Sequence, residues 1–165
     1  MEIERKFLIR QLPENLDQFP HVEIEQAYLC TQPTVRIRRK GEDYILTIKE
    51  HHSVFGKGNQ PIVNREEEFA IPAESYRHLL SKCDSGIVSK TRYLIDLCRY
   101  QDDGVYFGLT AELDVFHGQH KGLLMVEVEF PDTFSAQDFE IPSWFGEEVT
   151  SDPHYRNSWL AGLER

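Results

Sequence analysis

Met1 to Phe7 reads M-E-I-E-R-K-F, with Glu2, Glu4 and Lys6 at alternate positions and Ile3, Arg5 and Phe7 between them. In an extended strand successive side chains leave from opposite faces, and same-face neighbours stand about 7 Å apart. One face of this strand therefore carries two carboxylates and an ammonium. A half-buried strand that turns its polar side to water would look the same. The two readings separate only if other strands repeat the arrangement with complementary charge.

Several do. Thr34 to Lys40 (T-V-R-I-R-R-K) sets Arg36 and Arg38 on one face and Val35 and Ile37 on the other. Gly41-Glu42-Asp43 turns the chain into Tyr44 to Lys49, which reads as its hairpin partner. Ile62 to Ile71 pairs Glu66 with Glu68, and Ile87 to Arg99 pairs Lys90 with Arg92. A turn at Asp102-Asp103-Gly104 leads into Val105 to Phe116, where Glu112 and Asp114 face together. Leu123 to Phe130 alternates Glu127 and Glu129 with Val126, Val128 and Phe130. In Val22 to Cys30, Glu23 and Glu25 lack a basic companion, and an outward face is expected for them.

Helical spacing is rarer. Pro72 suits a helix start, with Tyr76, Leu79, Leu80 and Cys83 in one apolar stripe before Gly86. Ser135 with Asp138 marks a short helix. Asp152-Pro153 reads as the cap and first position of a C-terminal helix striped by Tyr155, Trp159, Leu160 and Leu163. The expectation is about eight strands and two or three helices in a single antiparallel-rich α+β domain covering the whole chain.

Composition narrows the function. At 165 residues with 40% hydrophobic residues, the chain can bury one substantial core. The formal charge of −10, from 28 acidic and 18 basic residues, argues against general nucleic-acid binding. The charged N-terminus and the lack of a long apolar run point to a cytoplasmic protein rather than a membrane or secreted one. Cys30, Cys83 and Cys98 form no C-x-x-C pair, and the seven histidines, including His117 and His120, are scattered and receive no role. Ser53 to Pro61 is Gly-rich but lacks the spacing of a Walker A loop. Oligomeric state is open, a homodimer included.

The opposite faces of the charged strands carry Ile3, Phe7, Val35, Ile37, Leu113, Val115, Val126, Val128 and Phe130, which must pack somewhere. A sandwich would bury them and send the charges to water. A closed barrel would hold the charges inside, with helices covering the apolar exterior. The barrel requires paired charges and a charged ligand, because isolated ions are costly to bury. Lysines and arginines suit phosphate oxygens, while the carboxylates call for a hard divalent cation, Mg²⁺ or Mn²⁺, to bridge them to phosphate.

The E-x-E-x-K of Glu2, Glu4 and Lys6, the R-x-R of Arg36 and Arg38, Lys49, the E-x-E of Glu66 and Glu68, the K-x-R-Y of Lys90 to Tyr93, the E-L-D-V-F of Glu112 to Phe116 and the E-V-E of Glu127 to Glu129 resemble, in order and rough spacing, the CYTH or triphosphate tunnel metalloenzyme family. That resemblance implies a closed eight-stranded antiparallel barrel, a tunnel with a charged interior and packing helices outside. It implies Glu2, Glu4 and Glu129 as leading metal ligands. Glu127, Glu112, Asp114, Glu66 and Glu68 would hold a second metal or orient water. Lys6, Arg36, Arg38, Lys49, Lys90 and Arg92 would cradle phosphates. The closing S-D-P-H-Y-R-N-S-W-L-A segment is also similar, but Pro153-His154 stands where the family often has Lys-Arg, with Arg156 as a substitute, and Ala111 stands where an aromatic is common.

The expected activity is metal-dependent hydrolysis of a small linear triphosphate, inorganic tripolyphosphate first, with Lys6 or a carboxylate such as Glu127 assisting the attacking water. The competing readings are a class IV-type adenylyl cyclase, a thiamine triphosphatase and, from another class, a non-catalytic polyphosphate-binding module.

Overall fold

The structure is a computed structural model that describes residues 3–52, 63–100 and 108–162. The turn at Asp102-Asp103-Gly104, Glu2, and the Gly-rich stretch from Ser53 to Pro61 lie outside the described residues. In chain order the strands are β1 (Ile3–Ile9), β2 (His21–Thr31), β3 (Thr34–Lys40), β4 (Asp43–His52), β5 (Val63–Ala70), β6 (Val88–Asp96), β7 (Thr110–Phe116), β8 (Leu124–Phe130) and β9 (Phe145–Glu148). The α-helices are α1 (Ala73–Leu80), α2 (Leu97–Tyr100), α3 (Thr133–Gln137) and α4 (Asn157–Leu160). This is an antiparallel β protein with few helices, and none among the described residues is long and apolar enough to cross a membrane.

The chain divides into two compact units whose segments interleave in sequence. One contains residues 24–89 and 156–162, and its strands run in the order β5-β4-β3-β2. The other contains residues 3–23 and 90–155, with the order β6-β7-β8-β1-β9. Among the described residues β5 pairs only with β4, and β9 only with β1, so these pairings do not themselves close a barrel. The ninth strand has no counterpart in the sequence reading, because F-G-E-E is too short to show alternation.

In the second unit the faces opposite the charges build the core. Phe7, Leu113, Val126 and Val128 are wholly buried and cluster with Phe139, Trp144 and Phe145, which are nearly so. The Phe7 ring lies 5.1 Å from Phe145 and 6.3 Å from Phe139. α3 and the segment leading into β9 cover this face, as a covered apolar exterior requires, and among the described residues of the unit no second sheet does so. Ala111 belongs to this core, so an aromatic at that position would point away from the charged face. In the first unit Ala27 and Ile37 pack against Tyr76 of α1. The Gly41-Glu42 turn joins β3 to β4 with Lys40 opposite Asp43, and Gly41 takes the left-handed backbone that such turns require (φ 59°).

Four local expectations shift. Residues 97–100 form helix α2 rather than continuing the strand. The cap of α3 is Asp132, whose side chain accepts from the Ser135 amide, so Ser135 lies inside the helix. Pro72 is the cap of α1, and the C-terminal helix is reduced to a 3₁₀ turn at Pro153–Tyr155 followed by α4. Replacing Phe7 by Ala removes a ring held by two others; equilibrium denaturation is expected to show a loss of about 3–5 kcal/mol.

Candidate functional site

Directly opposite residues of an antiparallel pair share a face, so register assembles the site. In the second unit Glu4 faces Glu129 and Lys6 faces Glu127. Glu112 also faces Glu127, Arg92 faces Asp114, and Lys90 faces Phe116. Arg92 is the hub. Its Nε donates to Asp114 Oδ1 at 2.7 Å and its Nη2 to Asp114 Oδ2 at 2.6 Å, a bidentate fork. Nη2 also reaches Glu127 Oε2 at 2.9 Å, and Nη1 donates to Glu112. Lys90 Nζ donates to Asp114 Oδ2 at 2.5 Å while sitting 5.2 Å above the Phe116 ring. Lys6 Nζ lies 2.9 Å from Glu127 Oε1 and 3.7 Å from Glu4 Oε1.

These contacts set the protonation states. Burial alone would raise the Glu127 pKa, yet Lys90, Lys6 and Arg92 together hold it far below the usual carboxylate range. Burial works against the Lys6 ammonium, but Glu127 and Glu4 outweigh it and hold its pKa above the ordinary lysine value. For Lys90, burial is the larger effect and lowers the pKa despite Asp114. Burial opposes the Arg92 charge too, and the bonds to Asp114 more than restore it.

The first unit builds a looser version. Thr34 faces Lys49, which faces Glu66, and Arg36 faces Thr47, which faces Glu68. Arg36 Nη2 lies 3.2 Å from Thr47 Oγ1, 3.4 Å from Glu66 and 3.5 Å from Glu68. Thr47 in turn donates to Glu68 at 3.0 Å, and Lys49 Nζ is 3.0 Å from Glu66 Oε2. Arg38 shares this face, opposite Gln26 and Ile45. Arg156, exposed, precedes α4 in the same unit, and its carbonyl accepts from the Leu160 amide at 3.0 Å. His154, at the altered family position, is tied within its own turn to Asp152 at 2.6 Å.

The sequence reading missed several same-face neighbours. Thr47, Gln26 and Tyr28 are buried on the Arg36 face, with Gln26 Nε2 donating to the Tyr28 hydroxyl at 3.0 Å. Met125 and Phe116 are buried on the Asp114 face. The signal was available as strand parity, but uncharged residues were not pooled. Glu23, expected to point outward, is exposed; it accepts from Thr91 Oγ1 at 2.7 Å. Since that hydroxyl has one proton, His117 Nε2, 2.7 Å away, acts as its donor. Glu25 pairs with Arg39 at 3.3 Å, likewise away from the Arg36 face.

Among the described residues no group of three or more carboxylates, histidines or cysteines is placed to hold a metal ion. Mg²⁺ commonly uses only one or two protein carboxylates, completing its shell with water and substrate phosphates. Glu4 and Glu129 fit that mode: both are exposed and stand directly opposite across β1 and β8, a like-charge pair that a cation between them would relieve. Asp114 and Glu127 instead direct their oxygens at Arg92, Lys90 and Lys6.

Antiparallel strands presenting interleaved carboxylates, lysines and arginines on one face, and an aromatic core on the other, define an α+β fold organised around charge. The CYTH domain family matches residues 1–151, and the chain belongs to that family. It is 38% identical over 164 residues to an inorganic triphosphatase of Nitrosomonas europaea, covering 97% of this chain and 96% of that one. An inorganic triphosphatase of Acetivibrio thermocellus is 31% identical over 168 residues, with coverages of 96% and 92%. The crystal structure of an inorganic triphosphatase superposes with a TM-score of 0.69 at 36% identity, covering 98% of this chain and 94% of that chain. A Hippeastrum protein described as having a dominant triphosphatase activity shares the fold, at a TM-score of 0.53 and 14% identity over 83% of each chain.

The buried, ionised Glu127 makes the stability of the fold depend on pH. A carboxylate with a depressed folded-state pKa stabilises the fold fully above its unfolded pKa and loses that contribution as pH falls toward the folded value. Between about pH 4 and pH 2 the unfolding free energy of the native chain is therefore expected to fall by up to about 1.4 kcal/mol per pH unit more than that of Glu127→Gln. Urea titrations of both proteins across that range measure the difference.

Proposed function

We propose that this chain hydrolyses linear triphosphates with a divalent cation, inorganic tripolyphosphate first, releasing pyrophosphate and phosphate. The observation that carries the reading is the charge balance of the second unit's face. Lys6, Lys90 and Arg92 are interleaved there with Glu4, Glu112, Asp114, Glu127 and Glu129, leaving an excess of two negative charges. A bare polyanion is repelled by such a face, and a polyanion carrying Mg²⁺ or Mn²⁺ is not. The names of the curated relatives point the same way.

The bound cation supplies charge neutralisation at phosphate oxygens and acidity for a water. Everything else is the work of side chains. Glu4 and Glu129 hold the cation, and family likeness adds Glu2 as a further ligand. Lys6 and Arg92 meet the phosphate oxygens, and Lys6, kept charged by Glu127 and Glu4, is an electrostatic contact rather than a base. Glu127, held ionised by its cations, is equally poor as a base and serves to aim Lys6 and Arg92. Asp114 and Lys90 form the anchor beneath Arg92 rather than direct metal or phosphate contacts. By family likeness Glu112 is the candidate for a second cation on this face; in the first unit Glu66 and Glu68 are the corresponding carboxylates, and Arg36, Arg38, Lys49 and Arg156 the corresponding phosphate-binding cations.

In the reaction a water oxygen bonds to the terminal phosphorus and the bridging P–O bond breaks. Its electron pair leaves with pyrophosphate, and the water's proton passes to a phosphate oxygen. No nucleophilic side chain is required.

The same reading carries the closed eight-stranded tunnel. Support comes from charges repeated on one face of strand after strand, with helix-covered apolar faces opposite.

Phosphate release should be assayed over tripolyphosphate, ATP and thiamine triphosphate with Mg²⁺, Mn²⁺ and EDTA. Tripolyphosphate is expected to be the best substrate, and chelation to abolish turnover. Glu4→Gln and Glu129→Gln, one at a time, are each expected to lower kcat by about 10²-fold or more with the fold intact by circular dichroism. Background release with every metal leaves a binding module; cyclic AMP as the main product makes the chain a cyclase.

A further inference from the structure

β1 runs between β8 and β9, and Lys6 lies where β9 ends. Phe7 stands opposite Glu148, so the next step along sets Lys6 against Val149. In a regular antiparallel ladder two such residues exchange both of their main-chain hydrogen bonds. Here one of the two is replaced. The Val149 amide donates to the Lys6 carbonyl at 2.8 Å, but the Val149 carbonyl accepts from the Asp152 amide at 3.0 Å as the chain turns away. The Lys6 amide donates instead to Thr150 Oγ1, at 3.0 Å. A side-chain hydroxyl stands where the strand would have offered a carbonyl.

Glu148 decides which way that hydroxyl points. Its carboxylate accepts from Thr150 Oγ1 at 2.8 Å and from the Arg5 guanidinium at 2.9 and 2.6 Å, and the bonds from Arg5 hold its pKa below the usual carboxylate range. A hydroxyl has one proton; with that proton given to Glu148, the lone pairs of Oγ1 are left for the Lys6 amide. Valine at this position would keep the shape and lose the acceptor, whereas serine would keep the acceptor.

The Lys6 side chain leaves the strand on the charged face, where its Nζ is 2.9 Å from Glu127 Oε1. An ammonium on a four-carbon stem magnifies any error at the backbone. A tilt of about 10° at the peptide carries it about 1 Å, and a displacement of that size can cost about 10²-fold in rate. Tying both main-chain groups of Lys6 to Val149 and Thr150 suppresses that tilt. Both groups point toward β9, so the ladder to β8 cannot supply the same restraint.

Resting on the triphosphatase reading, we infer that Thr150 is a positioning residue for that reaction: its hydroxyl, oriented by Glu148, holds the Lys6 peptide so that the ammonium meets the phosphate oxygens. Thr150 touches no substrate itself. It is exposed and lies just beyond β9, outside every run of alternating charge, so neither strand parity nor charge marks it in the sequence.

The test compares the native chain with Thr150→Val and Thr150→Ser in Mg²⁺-dependent hydrolysis of tripolyphosphate, each variant first shown folded by circular dichroism. Thr150→Val is expected to lower kcat about tenfold with KM within about twofold of native, because the cation site and the other phosphate contacts are untouched. Thr150→Ser is expected to stay within about twofold in both constants. Amide hydrogen exchange reads the clamp without turnover: in Thr150→Val the Lys6 amide should exchange about tenfold faster, while the Arg5 and Phe7 amides keep their native rates. Native kcat in Thr150→Val, an equal loss in both variants, or an unchanged exchange rate at Lys6 overturns the inference. Should Thr150→Val not fold, Thr150→Ala takes its place with the same expectations. If the native chain releases no phosphate from tripolyphosphate, the triphosphatase reading fails; if native and Thr150→Val release it equally, only the Thr150 assignment does.

Discussion

Everything in the second unit depends on the bidentate grip of Arg92 on Asp114. Asp114 is wholly buried, and so nearly is Lys90, which shares its carboxylate. Charges removed from water in this way cost several kcal/mol each, and only close, multiply bonded pairing offsets the cost. Such a network contributes little net stability. It does specify register, since slipping one strand by a single residue would turn its charges into the Phe7–Phe145 core and its aliphatic side chains into the ion pairs. Breaking any one link leaves a buried charge without a counterpart, so the arrangement is all or nothing.

The aromatic face supplies what the charged face cannot. Phe7, Phe139, Phe145 and Trp144 interlock with ring separations of 4.4 to 6.3 Å, and the strands carrying Leu113, Val126 and Val128 lie against them. Arg5 shows how strictly parity is enforced. It falls on this apolar face, and is accommodated there by a fork onto Glu148 of β9, at 2.9 and 2.6 Å, and by the Ala136 carbonyl. The short ninth strand thus serves to receive a charge that strand alternation placed on the wrong side.

Cations and carboxylates that neutralise one another are suited to exchanging partners. On the proposed reading, a divalent cation drawn to Glu4 and Glu129 would make a polyphosphate acceptable to Lys6 and Arg92, each ligand weakening the repulsion that opposes the other. An acidic protein of charge −10 would handle an anion in this way without a basic surface.

Much of the charged face was legible in advance. Strand parity and side-chain charge sufficed to set Glu4 with Lys6, Arg36 with Arg38, Glu66 with Glu68, Lys90 with Arg92, Glu112 with Asp114 and Glu127 with Glu129, each on one face of its own strand, because alternation is a local property of extended chain and needs no knowledge of neighbours. The uncharged members of the same faces, Thr47, Met125 and Phe116, carried the same parity and were passed over because their side chains do not advertise chemistry. Sequence alone also marked the family, through ordered motifs spread along the chain. What only the tertiary structure decided was depth and pairing: that Asp114 and Lys90 are buried while Glu4 and Glu129 face solvent, that Arg92 and Lys90 both bond to Asp114, and that a four-residue strand closes on Arg5. Burial is a property of what lies across a face and beyond its end. Those contacts join residues distant in the chain, and no local pattern encodes them.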